Sequence, residues 1–79
     1  MAKNNWNPES EANQTSMLLA YLRKHITITA IEALDVIGTM RLAALVFNLR
    51  EKGYDIRTEK ITVPSGKHIA LYRFYDNGL

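Results

Sequence analysis

Arg41 is the residue of this 79-residue chain whose position most needs a chemical explanation. The run TMRLAALVFNLREKG, Thr39–Gly53, follows Gly38 and has no internal glycine or proline. Leu42, Leu45, Val46 and Leu49 recur at three- and four-residue spacing, the pattern of one apolar helix face. The spacing predicts a helix over 39–52, with Gly53 in a left-handed C′ position and Arg50 and Lys52 at the end that the dipole favours for cations. Arg41 falls at the opposite end, where an anion is welcome and a cation is not. With the four aliphatic residues inward, the outward face holds Met40, Arg41, Ala44 and Asn48, with Phe47 at its rim. Arg41 could fork onto O6 and N7 of a guanine or onto a phosphate. Asn48 could pair with an adenine, or simply be a solvated helix residue. Ala44 keeps the face thin or meets a thymine methyl.

Catalytic chemistry has little to stand on. The only histidines, His25 and His68, lie far apart, with no pattern of His, Cys and carboxylate around them that would suggest a metal site. His25 suits a helix end, where an imidazole satisfies terminal carbonyls. No glycine loop that could cradle a phosphate is present, because Gly38, Gly53, Gly66 and Gly78 read as turns or ends. The acidic residues are scattered among basic ones, with no apolar pair to tune a proton donor and a base. The chain is expected to be no enzyme and to carry no cofactor or metal. Without cysteine it has neither a disulfide framework nor a thiolate site.

The remaining composition sets the scale. An apolar fraction of 47% with 23% charged residues is globular rather than disordered. A single domain of this size buries only about 60–65% of its unfolded surface, so a partner or a second copy would add to its core. The start, MAKNNWNPES, lacks the apolar run of a signal peptide and no stretch could span a membrane, so a soluble intracellular protein is expected. Residues 1–38 carry three basic against four acidic side chains; residues 39–79 carry seven against four. Positive charge therefore gathers in the half that contains Arg41, as a polyanion-facing half requires.

The elements that must position Arg41 follow from local pattern. Residues 1–9 read as a flexible arm whose Trp6 either folds back onto the body or anchors a partner; residues 10–79 form the domain. A helix from Glu11 or Asn13 to Lys24, capped by Ser10 or Asn13, turns Leu18, Leu19 and Leu22 inward, with Thr15 one turn earlier and Met17 and Tyr21 flanking. Ile26–Ile28 is a brief strand or an extended linker. Thr29 and Glu32 form a capping box for a short helix, 30–37, with Ile31, Leu34 and Ile37 inward and Gly38 ending it. Thr39 then caps the next helix at once, so the two helices must turn sharply: a helix-turn-helix. Past Gly53 the period changes to two. Residues 54–63 form a strand with a bulge or twist near Glu59–Lys60, where Ile61 and Val63 fall out of phase with Ile56. Pro64–Lys67 is a reverse turn, and His68–Tyr75 returns with Ala70, Tyr72 and Phe74 toward the helices. The expected fold is α+β, mostly α: three helices with a C-terminal β-hairpin wing.

The run ITITAIEALDVIGTMRLAALVFNLREKGYDIRTE, followed by GKHIALYRF, resembles a family of small winged helix-turn-helix domains common in phage and prophage genomes. The matching positions are Ile28-Thr29, Glu32-Ala33-Leu34, Gly38, Arg41-Leu42-Ala43-Ala44, Leu49-Arg50, Gly53-Tyr54 and Ile56, then Tyr72-Arg73 with Phe74 where an aliphatic residue is usual. The likeness covers residues 14–75 and departs at Val46-Phe47-Asn48, where Ile-polar-Asp/Glu is commoner. It implies a small phage or prophage regulator in the cytoplasm of a bacterial host, associated with the nucleoid, that binds double-stranded DNA for transcriptional control or as an accessory factor in recombination. Helix 39–52 would enter the major groove and wing 60–68 would meet the backbone. Thr29 and Thr39 would suit phosphates. Lys60 and Lys67 either reach DNA or protect the hairpin edge. Arg57 either joins them or pairs with Asp55 or Glu59. So few cations make a weak monomer, and a dimer or cooperative binding is expected. The alternative is a protein-interaction or inhibitory module that uses Phe47 and Met40, with Trp6 as a further contact to a host or phage protein.

Overall fold

Pro8 opens the first helix, α1 (Pro8–His25), where proline's fixed φ and missing N–H cost nothing. The computed structural model describes residues 8–78, with side chains from residue 12 onward. Trp6, and either role for it, lies outside the described residues. The helix takes in residues 8 and 9 of the expected arm and places Ser10 and Asn13 inside itself rather than at its cap. Leu18 and Leu22 are fully buried, Thr15 nearly so, and Leu19 and Tyr21 pack against them.

α1 ends in a left-handed turn at an unusual residue. Ile26 has φ +76, and its N–H donates to the Leu22 carbonyl at 2.8 Å. Glycine or asparagine is usual there, and a β-branched residue is strained. The strain is held because the Ile26 carbonyl accepts from the Phe74 N–H at 2.7 Å. The chain thus leaves the helix directly into strand β1 (Thr27–Thr29).

Thr29 is at once the last residue of β1 and the N-cap of α2 (Ala30–Val36). The capping box forms: the Glu32 N–H donates to Thr29 Oγ1 at 3.4 Å and the Thr29 N–H donates to Glu32 Oε1 at 2.9 Å. The inward face of α2 differs from the expected one. Ala33 is fully buried and Ile37 half-buried, while Ile31 is 75% and Leu34 52% exposed. No residue separates strand from helix, so β1 pairing and the capping box set the roll of this helix, and the small Ala33 takes the closest approach.

Residues 37–41 make the turn, longer than the one or two residues expected. The N–H groups of Ile37, Gly38 and Thr39 converge on the Ala33 carbonyl at 2.9, 3.0 and 3.5 Å, with Gly38 at φ +80. The next helix, α3 (Leu42–Glu51), begins later than Thr39, and Arg41 is its N-cap. Its inner face is the predicted one: Leu42, Leu45, Val46 and Leu49 are buried. Its end is a Schellman motif, in which the Tyr54 N–H donates to the Leu49 carbonyl at 3.1 Å and the Gly53 N–H to the Arg50 carbonyl at 2.9 Å.

Strands β2 (Asp55–Thr62) and β3 (His68–Tyr75) form the hairpin, and β1 joins it, giving an antiparallel sheet in the order β1-β3-β2. The register runs without interruption from Asp55↔Tyr75 to Thr62↔His68, so the expected bulge near Glu59–Lys60 is absent. The change of phase is one of apolarity, because Ile61 and its partner Ile69 sit half-buried on the outer face. Ile28, Ile56 and Phe74 are buried on the helix-facing side with Tyr72 packed beside them, whereas Ala70, on the same side, is exposed. The fold is α+β, three helices and a C-terminal wing, as expected.

Candidate nucleic-acid interface

Two neighbours divide the surface of α3. On one flank Asn48 Nδ2 donates to Thr15 Oγ1 of α1 at 3.4 Å. On the other, Arg50 Nε donates to the Ile56 carbonyl at 2.7 Å and Nη2 to Thr58 Oγ1 at 2.9 Å, both on β2. Between these tethers runs the solvent-facing stripe: Met40 in the preceding turn, 88% exposed, then Ala44 and Phe47, the latter 59% exposed. Sequence spacing puts Asn48 outward and Phe47 at the rim. The structure reverses them, because α1 crosses on the side where Asn48 lies.

Arg41 is exposed at the start of this stripe. Its side chain caps nothing in α3, while its carbonyl accepts from the Ala44 and Leu45 N–H groups at 3.0 and 3.2 Å. Its own N–H donates to Thr39 Oγ1 at 2.9 Å. Thr39 is only 4% exposed, so its hydroxyl braces the turn from within instead of meeting a phosphate. The Thr29 hydroxyl is likewise engaged by Glu32. Of the expected contacts, Met40, Arg41 and Ala44 come together, whereas Asn48, Thr29 and Thr39 serve the fold.

The wing separates its cations by strand parity. Arg57 lies on the outer face, opposite Arg73. It forks onto Asp55 at 3.1 Å to each carboxylate oxygen, and its guanidinium lies 4.6 Å from the centre of the Tyr75 ring. The bond to Asp55 raises the Arg57 pKa further above its ordinary value. Arg73 pairs with Glu59 at 2.7 and 3.3 Å, and this bond holds the Glu59 carboxyl below the usual carboxylate range. Of the alternatives for Arg57, the structure shows the pairing with Asp55. Lys60 has the opposite parity. It is exposed, shares the sheet face of Ile56, and pairs in register with Ala70. Ala70 lines a cleft of about 260 Å³ together with Met40, Ala43, Ile31 and Ile69. The cleft brings the start of α2, the start of α3 and the wing to one side of the molecule. Lys67 is exposed in the wing turn.

Ile31 and Ala43 are surface residues of this side that sequence reading did not place there, and Leu34 is a further exposed residue of α2. Ile31 and Leu34 have the spacing of a core stripe, so no periodicity distinguishes them. Among the described residues no group of three His, Cys, Asp or Glu side chains could hold a metal ion, and no helix is long and apolar enough to cross a membrane.

A family model described as a winged helix-turn-helix domain matches residues 13–76. Neither a curated protein nor a solved structure matches the chain.

Proposed function

The chain belongs to the winged helix-turn-helix domain family, whose members generally bind DNA and are not catalytic, and on that premise we propose that it binds double-stranded DNA sequence-specifically as a small phage or prophage regulator. The start of α3 enters the major groove, with Arg41 on a guanine or a phosphate, and the wing lies along the backbone through Lys60 and Lys67. One observation carries this. Met40, beside Arg41, shares a cleft with Ala70, the register partner of Lys60, so helix start and wing face the same way. The residue pattern shared with phage and prophage domains supports the regulatory role, in transcriptional control or recombination, in the host cytoplasm and at its nucleoid. Three cations at most face DNA, which favours binding as a dimer or side by side. Selection of duplexes from a random pool, with protein mass measured in the same buffer, tests this: an enriched motif bound by a multiple of the chain mass is expected, and no enrichment overturns it.

The exposure of Met40 and Phe47, extended by Ile31 of α2, which shares the cleft with Met40, supports the alternative, a protein-interaction or inhibitory module on the same face. Capture of a host or phage protein that Phe47→Ala abolishes, with no duplex enriched, would select it.

A further inference from the structure

The solvent-facing stripe of α3 is almost without hydrogen-bonding chemistry. Met40, Ala43, Ala44 and Phe47 offer a thioether, two methyl groups and a phenyl ring, none of them a donor. The polar side chains that flank the stripe are engaged elsewhere: Asn48 by Thr15, Arg50 by β2. On the wing, the arginines face away and are paired with carboxylates. Arg41 stands exposed at the start of the stripe, where a guanidinium can meet a base edge. Cations nevertheless frame the apolar patch, Arg41 at the helix start and Lys60 on the sheet face that Ala70 shares with the cleft. That charge arrangement fits a polyanion. The two alanines between Met40 and Phe47 leave the stripe shallow enough for the helix to lie close to its ligand.

A major groove presents one strongly apolar feature, the C5-methyl group of thymine. We propose that this stripe reads thymine methyl groups, with Met40 and Phe47 as the specificity-determining contacts and Arg41 as the single polar one. The inference rests on the proposed DNA binding and specifies what that site recognises: a half-site of A·T pairs whose thymines face the helix, next to one G·C pair or a phosphate held by Arg41. Removal of a buried methyl group loses about fourfold in affinity, from the transfer free energy of one such carbon.

The test uses the full chain and the duplex selected from the random pool, synthesised once with thymidine and once with deoxyuridine at every thymine. Uracil keeps every hydrogen-bonding edge and lacks only the methyl group. Wild-type protein is expected to bind the uracil duplex more weakly, by about fourfold for each contacted thymine, and the doubly substituted Met40→Ala, Phe47→Ala protein to lose most of that discrimination. Both residues are well exposed, and circular dichroism of the variant confirms its fold. Equal binding of the two duplexes by the wild type overturns methyl readout while leaving DNA binding intact. Undiminished discrimination in the folded double variant overturns the assignment to Met40 and Phe47. Failure to bind any duplex removes the functional proposal and this inference with it.

Discussion

At the scale of single residues, Arg41 and Ile26 both occupy places for which other side chains are better suited. Arg41 sits at an N-cap, where Ser, Thr, Asp or Asn would accept a bond from the helix N–H groups, and makes no such cap. Under the proposed DNA binding, this arginine meets a guanine or a phosphate. Ile26 is a different case, a strained backbone that the fold imposes so that α1 can pass straight into a paired strand. At φ +76 a Cβ is penalised and its absence is not. Ile26→Gly is therefore expected to be more stable than Ile26→Ala by about 1 kcal/mol, despite glycine's greater unfolded entropy. Urea denaturation of the two variants measures the difference, and an alanine variant as stable as the glycine one would remove the strain argument.

At the scale of elements, what could be read from sequence was what local chemistry decides. The α3 core stripe, the Thr29–Glu32 capping box, Gly38 and Gly53 as helix ends and the Pro64–Gly66 turn are each fixed by neighbours within a few residues. Besides element ends and the absent bulge, the misreadings concern which face meets which neighbour. Ile31 and Leu34 have core spacing but point outward because β1 sets the roll of α2; Asn48 turns toward α1, which crosses beside it. Two predictions follow at this scale. Leu34→Gln should change stability by no more than about 0.5 kcal/mol, where a core leucine would cost about 2–5 kcal/mol; a thermal melt distinguishes them. The Glu59–Arg73 pair gives the wing an acid limb. Because Glu59 is held below its usual pKa, its contribution is complete above the unfolded carboxylate value of about 4.3 and is lost as pH falls through the lower folded value. The wild-type melting temperature should thus fall more steeply than that of Glu59→Gln below about pH 4.3. Parallel acid limbs would show that the exposed pair adds nothing.

At the scale of the whole molecule, the charge budget is thin and one-sided. The second half of the sequence holds seven of the ten basic residues, yet the structure spends Arg57 and Arg73 on carboxylates and Arg50 on the β2 backbone. Arg41 is exposed at the helix start and Lys60 and Lys67 are exposed on the wing. Around them lies more apolar surface than a phosphate-binding face requires, which is why base readout by methyl contact and self-association both belong to this account. Three phosphate contacts would give a salt slope of about −2.7 and a roughly fortyfold loss of affinity between 50 and 200 mM salt. The most direct test of the central claim is the affinity of wild-type and Arg41→Ala protein for the selected duplex at low salt, with both proteins shown to be folded in the same buffer. The account predicts that the wild type binds and that the variant, equally folded, binds about 5- to 150-fold more weakly; equal affinity of the two proteins would contradict it.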